Sequence, residues 1–508
     1  MSDVSALPTA LGTIHSHEPF AQLRETHTGV VVLCGDRAYK AKKPVVTDFL
    51  DFGTPAARER ACARELELNQ RLAPDVYLGL AHLTDPEGGA AEPVIVMRRM
   101  PEALRLSTAL ADPTREAAGL SALAETLARF HAGARRGADI DRAGTPAQLR
   151  RRWSSLLRPL RADPRSADDH GILARADYLA MRFIDGRGPL LAERIAHGRI
   201  VDGHGDLLAE DIFVLPDGFR ILDCLDFDDE LRFVDCLDDA AFLAMDLEFL
   251  GYRAESDSFL NDYLSTAGDS PPLSLRHHYI AYRAMVRAKT DRLRADQGDP
   301  EAAGHAERHL ELAVEHLAQG AVRLVLVGGL PGTGKSTVSA RLAAATGAVT
   351  ISSDDVRAEL RAAGSIAGAA GVYGAGAYRP AAKALVYSRM LEQARKQLEH
   401  GVSVVLDASW TDSDQRARAV ALAGETRSDL LRLRCVCPRT LAAERIGARV
   451  KGNSDATPAI AAALAAVAAP WPETIGLDTT QPIEASVATA LRAWRDAVVP
   501  TPDTVMPG

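Results

Sequence analysis

A glycine-rich loop between an apolar run and a helical pattern carries the most specific chemical signal of the chain. Its residues are Gly329, Leu330, Pro331, Gly332, Thr333, Gly334, Lys335 and Ser336, which fit the spacing G-x-x-x-x-G-K-[ST]. Backbone N–H groups in such a loop surround phosphate oxygens at the N-terminus of the following helix, which Thr337 opens here. The sequence therefore predicts a P-loop that binds ATP, with Lys335 on the β- and γ-phosphates and Ser336 on Mg²⁺.

Carboxylates at the ends of two later strands fit the same chemistry. Asp354 follows a short apolar strand, and a strand-end carboxylate beside a P-loop can take the proton of an acceptor hydroxyl. Arg357, three residues further on, can clamp an anionic acceptor. Asp407 ends another apolar strand and would hold Mg²⁺ through water. Because ligands bind at the carboxyl ends of parallel strands, we expect Ser336, Asp354 and Asp407 to share one site.

A predicted β-hairpin over 29–43 supplies candidate phosphate-binding lysines near the N-terminus. Its second strand carries Lys40 and Lys42, which share a face because strand side chains alternate. One of them would hold ATP phosphates, as the strand lysine of a protein kinase does; the alternative is that both are solvated. Glu65 lies on a helical stretch over 55–72 and is the predicted partner of the strand lysine.

Three aspartates are spaced like the catalytic loop and metal site of a kinase. Kinases place a base Asp, then an Asn five residues on that holds Mg²⁺, then a metal-binding Asp after a hairpin. Here Asp206 follows His204 and Gly205, Asp211 comes five residues later, and Asp223 closes a predicted hairpin. One carboxylate would take the proton of an acceptor hydroxyl while others hold the metal. The alternative is a set of surface turns rich in Asp.

An acidic run follows Asp223 and leaves two interpretations open. It could bind a cationic substrate, or its members could be solvated or paired with arginines. The residues are Asp226, Asp228, Asp229, Glu230, Asp235, Asp238 and Asp239.

Bulk properties restrict the class of protein. A chain of 508 residues is too long for one core, and 47% hydrophobic with 25% charged residues is typical of a soluble globular protein. The net charge of −9 argues against a broad nucleic-acid or membrane surface. The six cysteines form no C-x-x-C pair, and no run reaches the roughly 18 apolar residues of a spanning helix. No signal peptide is visible, so a cytoplasmic location is expected.

The N-terminal motifs resemble a known branch of kinases. His204-Gly205-Asp206 with Asp223 resembles the aminoglycoside phosphotransferase branch of the protein-kinase-like fold. Segments 39–45, 65–69 and 242–246 look like the N-terminal half of a bacterial fusion family, which joins an aminoglycoside-phosphotransferase-like domain to a P-loop kinase domain. The resemblance covers nearly the whole chain and implies that Asp206 is the base and Asp223 a metal ligand. The chain departs from the kinase pattern in having Asp211 where kinases carry Asn, and no G-x-G-x-x-G loop before Lys40.

The C-terminal motifs resemble small P-loop kinases. Asp354 and Arg357 match the Asp-x-x-Arg signature of phage-type polynucleotide 5′-hydroxyl kinases and zeta-toxin-like kinases. Arg445 and Arg449, at i and i+4 on a predicted helix, resemble the lid arginines of adenylate- and gluconate-type kinases. The resemblance implies that these arginines neutralise the transferring phosphate.

These motifs predict a two-domain chain. Residues 1–312 would form a bilobal kinase-like domain (α+β), residues 320–498 a P-loop domain (α/β) with a doubly wound parallel sheet, and residues 499–508 a disordered tail. The expected function is an ATP- and Mg²⁺-dependent phosphotransferase that acts on a hydroxyl group of a small-molecule or nucleotide-like acceptor. The N-terminal domain would be a second phosphotransferase or a pseudokinase. Two alternatives remain: an ATP-switch regulatory protein, and a nucleic-acid 5′-hydroxyl kinase, which the acidic balance does not favour.

Overall fold

The structure is a computed structural model, and its two compact units are described separately. The first unit comprises residues 1–144 and 197–270, and the second comprises 145–196 and 271–508. The described residues are 19–25, 29–46, 51–84, 86–112, 119–163, 170–367, 379–448 and 457–498. The predicted tail 499–508 and Arg449 lie outside them. The predicted division between 312 and 320 falls within the second unit and stays a prediction.

From residue 323 onward, strands alternate with helices, as expected from the sequence. Up to residue 202 the elements are β1 (Ala21–Glu25), β2 (Gly29–Cys34), β3 (Arg37–Lys42), α1 (Pro55–Asn69), β4 (Tyr77–Leu83), β5 (Glu92–Arg98), α2 (Leu106–Ala111), α3 (Leu120–Gly133), α4 (Ala138–Asp141), α5 (Pro146–Ala162), α6 (His170–Gly186), α7 (Gly188–Ala196) and β6 (Ile200–Asp202). The next are β7 (Ile212–Leu215), β8 (Gly218–Ile221), α8 (Asp229–Arg232), β9 (Phe233–Asp235), α9 (Cys236–Phe249), α10 (Arg253–Thr266), α11 (Leu273–Asp296) and α12 (Ala302–Gln319). The last are β10 (Arg323–Gly328), α13 (Lys335–Thr346), β11 (Val349–Ser352), α14 (Ser353–Ala362), α15 (Pro380–Glu399), β12 (Val404–Asp407), α16 (Ser413–Glu425), β13 (Asp429–Val436), α17 (Arg439–Gly447), α18 (Pro458–Val467), β14 (Ile475–Asp478) and α19 (Ile483–Asp496).

The first unit opens with an antiparallel sheet in the order β1-β2-β3-β5-β4. The predicted hairpin is confirmed as β2 and β3, joined at Gly35, whose φ of 59° suits a tight turn. Thr54 caps α1 by accepting a hydrogen bond from the N–H of Ala57, and Pro55 occupies the first turn. A second hairpin pairs β7 with β8. The unit therefore has a five-stranded antiparallel sheet with the helix α1, followed along the chain by a second hairpin that lies between Asp206 and Asp223.

The second unit contains a parallel sheet in the order β11-β12-β10-β13-β14. Alternation along β10 sends Leu324 and Leu326 into one core, beneath α15 and α16, and Val325 and Val327 into another, beneath α13 and α19. Both faces of the sheet are thus covered by helices, as expected for a doubly wound fold. The P-loop follows β10, the central strand, where the strand order reverses.

Helices that precede the P-loop segment in sequence pack against it through buried polar contacts. Arg187 is 1% exposed, and its guanidinium donates to the carbonyls of Gly186 and Leu398. Burial lowers the pKa of Arg187 to about 9. The Ser274 hydroxyl donates to Gly401 O at 2.7 Å. Breaking the chain at 320 would separate these partners, so experiments on the P-loop site require the full chain.

No helix among the described residues is long and apolar enough to cross a membrane.

The contact at Gly186 generates a stability prediction. A Cβ added there would lie 2.4 Å from the carbonyl oxygen of Thr426, whereas a Cβ at Gly188 would meet nothing within 4 Å. We expect Gly186→Ala to lower the free energy of unfolding by about 1–3 kcal/mol, because the backbone must move apart. Gly188→Ala is the matched control. Urea unfolding of the full chain measures both, and equal midpoints would contradict the packing of α6 on the P-loop domain.

Candidate nucleotide-binding sites

The P-loop backbone is held in conformations that require glycine. Gly329, Gly332 and Gly334 have φ angles of 139°, 82° and 87°. A Cβ on Gly332 would lie 2.3 Å from Ala442 O, and one on Gly329 would lie 2.6 Å from Cys435 O. Side chains are therefore excluded by both conformation and space. The loop is a backbone cradle at the N-terminus of α13, as phosphate binding needs.

Three predicted residues of the P-loop site meet at the carboxyl edge of the sheet. Asp407 pairs with Val327 of β10 and with Ser352 of β11 in parallel register. Its side chain is 4% exposed and accepts a hydrogen bond from the Ser336 hydroxyl. Burial raises the pKa of the Asp407 carboxyl, and the nearby charge of Lys335 acts in the opposite direction. The arrangement brings a hydroxyl, a carboxylate and an ammonium group together beside the glycine cradle.

Lys335 and the rest of the loop are already in contact with one another. Lys335 Nζ donates to Leu330 O at 3.1 Å, and the Thr333 hydroxyl donates to the same carbonyl at 2.7 Å. Pro331 is partly exposed, and Ser336 and Thr337 are exposed. The lysine thus folds back over the loop.

Asp354 and Arg357 lie on the first turns of α14, next to the same edge. The N–H of Asp354 donates to Ser352 Oγ, which caps the helix. Arg357 Nη1 contacts Asp354 Oδ1 at 2.6 Å. Asp407 pairs with Ser352, two residues before Asp354, and the Asp354 charge adds to burial in raising the pKa of the Asp407 carboxyl. The predicted base and the predicted clamp therefore form an ion pair with each other in this structure.

A cavity of about 380 Å³ adjoins the P-loop. Arg445 forms part of its wall and donates through Nη2 to Thr479 O at 2.8 Å. The other lining residues are Gly332, Gly334, Thr337, Val338, Thr479, Gln481, Ile483 and Ser486. The cavity is large enough for part of a nucleotide, and Arg445 stands beside it. The second predicted lid arginine, Arg449, lies outside the described residues.

In the first unit, Glu65 links both strand lysines. Its carboxylate is 1% exposed and contacts Lys40 Nζ and Lys42 Nζ, each at 2.7 Å. Lys40 also contacts Asp223 at 2.9 Å, and Lys42 also contacts Asp226 at 2.7 Å. Lys40 is the more exposed of the two lysines (19% against 6% of the side chain). The structure therefore places Lys40, Glu65 and Asp223 together. Lys42 is the more buried lysine and pairs with Glu65 and Asp226.

The three predicted kinase-like aspartates surround one small region. Burial, followed by the charges of Asp223, Glu210 and Asp206, raises the pKa of the Asp211 carboxyl well above its usual range. Asp223 has a φ of 62°, a left-handed conformation that is uncommon for a residue other than glycine and often marks a functional site. Among the described residues, no group of three or more His, Cys, Asp or Glu side chains is arranged to hold a metal ion. Asp211 and Asp223 as a two-carboxylate metal site stay a prediction.

Asp239 fixes the backbone at His204 and Gly205, just before the predicted base Asp206, and sequence reasoning missed this role. It is fully buried and accepts hydrogen bonds from the N–H of His204 at 2.6 Å and of Gly205 at 2.9 Å. His131 Nε2 lies 3.0 Å from the same carboxylate, and its Nδ1 lies 2.8 Å from Tyr263 Oη. No local signal identifies this residue, since it stands in a run of acids ahead of an apolar helix.

Other acids of that run pair with cations. Asp226 contacts Lys42, and Asp229 contacts Arg232 at 2.6 Å and Arg64 at 3.0 Å. For these two acids, the interpretation as partners of basic side chains is the one that the structure supports.

The Asp239 contacts generate a second stability prediction. Asp239→Asn replaces one acceptor oxygen by an NH₂ group that faces a backbone or imidazole donor, so we expect a loss of about 2–3 kcal/mol in the free energy of unfolding. Asp217→Asn is the control, because Asp217 is 68% exposed in a surface pair with Arg220 and should change stability by less than about 1 kcal/mol. Urea unfolding of the full chain compares them. Equal effects would mean that Asp239 does not anchor the loop.

Comparisons with known proteins agree with this architecture. The AAA domain family matches residues 324–470. Uncharacterized proteins of Mycobacterium tuberculosis (strain H37Rv) and Mycobacterium bovis are 51% identical over 495 residues, which is 97% of this chain and 99% of each relative. 

Solved kinase structures resemble parts of the chain, with TM-scores below 0.4. A sugar kinase from Janibacter is 21% identical and covers 35% of this chain and 99% of its own, with a TM-score of 0.28. An aminoglycoside phosphotransferase, APH(2″)-IIIa, bound to GDP and kanamycin, is 15% identical over 60% of this chain and 96% of its own, with a TM-score of 0.37. Scores of this size say nothing about activity. The chain belongs to the family of the mycobacterial proteins, and its residues 324–470 match the AAA domain family.

Proposed function

We propose that this protein is an ATP-dependent phosphotransferase whose P-loop domain transfers the γ-phosphate of ATP to a hydroxyl group of a small molecule. One observation carries the proposal. Ser336, Asp407 and Asp354 converge at the carboxyl edge of β10, β12 and β11, directly beside the glycine cradle. Phosphoryl transfer needs a phosphate cradle, a metal site and a base for the acceptor in one place, and this edge supplies candidates for all three.

The residues at this edge fit Mg²⁺. A hydroxyl and a carboxylate are hard oxygen ligands of the kind that Mg²⁺ takes in octahedral sites, and the Ser336 hydroxyl already lies against Asp407. Ser336 would ligate the ion and Asp407 would hold it through water. When bound, Mg²⁺ neutralises charge on the β- and γ-phosphates. Lys335 would leave Leu330 O and turn to the same phosphates.

Asp354 would take the proton of the acceptor hydroxyl. As it does so, the acceptor oxygen bonds to the γ-phosphorus, the bond from that phosphorus to the β–γ bridging oxygen breaks, and ADP leaves. Arg357 would release Asp354 when it engages the acceptor. Arg445, fixed on Thr479 at the cavity wall, would contact the nucleotide.

A small-molecule acceptor is favoured over nucleic acid by charge. The chain has a net charge of −9, and binding to nucleic acid depends mainly on cationic contacts with phosphates. Oligonucleotide binding that weakens steeply with salt would support the nucleic-acid alternative.

The first unit would be a second nucleotide site. Lys40 stands between Glu65 and Asp223, the arrangement in which a kinase lysine holds α- and β-phosphates and an aspartate holds the metal. Asp206 would be its base, with Asp211 and Asp223 as metal ligands. The structure is compatible with an active site or with a pseudokinase that binds nucleotide without transfer.

Substitution of the P-loop lysine tests the proposed activity. We expect Lys335→Ala to reduce acceptor-dependent ATP turnover of the full chain by at least about a thousandfold, since the lysine charge stabilises the transferring phosphate. Lys396→Ala, at an exposed lysine on α15, is the control and should retain wild-type turnover. Unchanged acceptor labelling in a folded Lys335→Ala protein would overturn the assignment.

Removal of the metal ligand gives a related prediction. Asp407→Asn keeps the size of the side chain and removes its charge, so the Mg²⁺ concentration for half-maximal turnover should rise by about tenfold or more. Titration of turnover with Mg²⁺ after removal of metal by EDTA provides the measurement. If the titration curves of variant and wild type coincide, Asp407 does not hold the metal.

The two strand lysines should separate binding from stability. In a Lys335→Ala background, we expect Lys40→Met to weaken ATP binding at the second site by about tenfold or more, because it removes the phosphate contact. Lys42→Met should instead lower the free energy of unfolding by about 3–5 kcal/mol, because it removes a buried cation that pairs with the buried Glu65 and the half-buried Asp226. Calorimetric ATP titration and urea unfolding distinguish them. If Lys42→Met lost ATP binding and Lys40→Met did not, Lys42 would be the phosphate-binding lysine and Lys40 the structural one.

A further inference from the structure

Polar side chains of α15 face the loop that follows β12, next to the proposed acceptor position. Lys383 Nζ lies 3.4 Å from Thr411 Oγ1, and Tyr387 Oη lies 3.4 Å from Ser409 Oγ. Lys383 and Tyr387 are one helical turn apart, so they present their polar ends on the same side of α15. None of these four residues has a part in ATP binding as proposed above.

The loop after β12 is fixed in place beside the P-loop. Trp410 is 1% exposed, has a φ of 50°, and donates from its backbone N–H to Tyr387 Oη at 3.3 Å and from its indole to Leu406 O at 3.3 Å. The N–H of Gly329, the first P-loop residue, points to Ser409 O at 3.5 Å. The four polar side chains are therefore held at a constant position relative to the phosphate cradle.

Lys383 is a half-buried cation to which the described residues offer no carboxylate within ion-pair distance. Its polar neighbour is the Thr411 hydroxyl, and burial lowers its pKa, with Asp412 the acid that acts against this shift. Lys383 also lies near the N-terminus of α15, where the helix dipole disfavours a positive charge. A cation that is held in such surroundings costs stability, and binding of an anion would offset that cost.

The second cation at this position is Arg357. Arg357 lies on α14, whose neighbouring residue Val356 shares a core with Tyr387 of α15. Burial raises the pKa of Tyr387, and the Arg357 charge acts to lower it. Arg357 lies in turn against Asp354. The proposed base, Asp354, is therefore next to a polar cluster that contains the cations Lys383 and Arg357 and several hydroxyls. This cluster lies on the face of the sheet that α15 covers, and the nucleotide cavity lies on the face that α13 and α19 cover.

We propose that Lys383 is a specificity-determining residue that binds a negatively charged group of the acceptor, a carboxylate or a phosphate monoester, together with Arg357. The acceptor is then a hydroxy acid or a phosphorylated hydroxy compound, and its hydroxyl is presented to Asp354. Tyr387, Ser409 and Thr411 supply hydroxyls to the remaining polar groups of the acceptor. This inference rests on the proposed function of the P-loop domain.

A panel of matched acceptors tests the inference in the full chain. Each pair contains a charged and a neutral member: sugar acids with their amides, and hexose phosphates with free hexoses. We expect transfer to one charged class and a KM for that class about thirtyfold higher in Lys383→Met, with kcat changed less than about threefold, because the contact is a binding contact. Lys383→Arg keeps the charge and should recover most of the affinity. Equal use of a neutral member, with no change of KM in Lys383→Met, would overturn the inference and leave the proposed function intact.

Chemical labelling of lysines tests the anion site without turnover. The full chain, saturated with ADP, is treated with an amine-reactive reagent in the presence of inorganic phosphate, a sugar acid or a neutral polyol. Labelling of Lys383 is measured by mass spectrometry, with the exposed Lys396 as the internal control. We expect phosphate or the sugar acid to reduce labelling of Lys383 at least about fivefold and to leave Lys396 unchanged, because a bound anion holds the ammonium form.

Together, the acceptor panel and the lysine labelling distinguish the proposed anion site from the proposed transferase activity. Protection of Lys383 by phosphate alone indicates a phosphorylated acceptor, and protection by the sugar acid alone indicates a carboxylate. Protection in a protein that transfers no phosphate supports the anion site and counts against the transferase. If no anion protects Lys383, or the neutral polyol protects it equally, the inference is wrong.

Discussion

The burial of Asp407 is the constraint on which the P-loop site depends. This carboxylate ends β12, an apolar strand that lies between β11 and β10 in the parallel sheet, and it is 4% exposed. Its burial alone would favour the neutral acid, and the charge of Lys335 and the hydroxyl of Ser336 oppose that effect. The loop that carries Lys335 and Ser336 must therefore cross directly over the strand end. That crossing is possible because Gly329 and Gly332 fit where side chains would collide with Cys435 and Ala442, and because Gly334 adopts a left-handed φ of 87°.

In the first unit, a buried carboxylate is likewise stabilised by neighbouring cations, in a chain of alternating charges. Burial acts to raise the pKa of Glu65, yet Lys40 and Lys42 hold it below its usual value. Each lysine in turn contacts an aspartate, Asp223 or Asp226. Glu65 and Lys42 are buried members of this chain of charges, and removal of either leaves an uncompensated partner. A bound nucleotide phosphate would join this chain at Lys40, its more exposed cation.

Local patterns in the sequence predicted the parts of each site that depend on local structure. The P-loop, the hairpin that carries Lys40 and Lys42, and the position of Asp407 at a strand end all follow from spacing and from runs of apolar residues, and the structure has these elements. The sheet order could not be read from the sequence, yet the expectation of a doubly wound parallel sheet is confirmed.

What sequence reasoning missed depends on contacts between distant segments. Asp239 anchors the N–H groups of His204 and Gly205 from 35 and 34 positions away. Lys383 approaches Thr411 only because α15 packs beside β12. The packing of Arg187 against Leu398 likewise links segments that are far apart in the chain. Helical and strand periods reveal which face of an element is buried, but not which other element covers it.

The central claim is that the protein transfers phosphate to an organic hydroxyl, and the fate of the γ-phosphate tests it most directly. The full chain is incubated with γ-labelled ATP, Mg²⁺ and a pooled metabolite extract, and the label is divided into inorganic phosphate and phosphorylated organic products. The account predicts that most of the label enters an organic product and that the extract accelerates ATP consumption. Release of all label as inorganic phosphate, at a rate that the extract does not change, would contradict it and favour an ATP-driven switch.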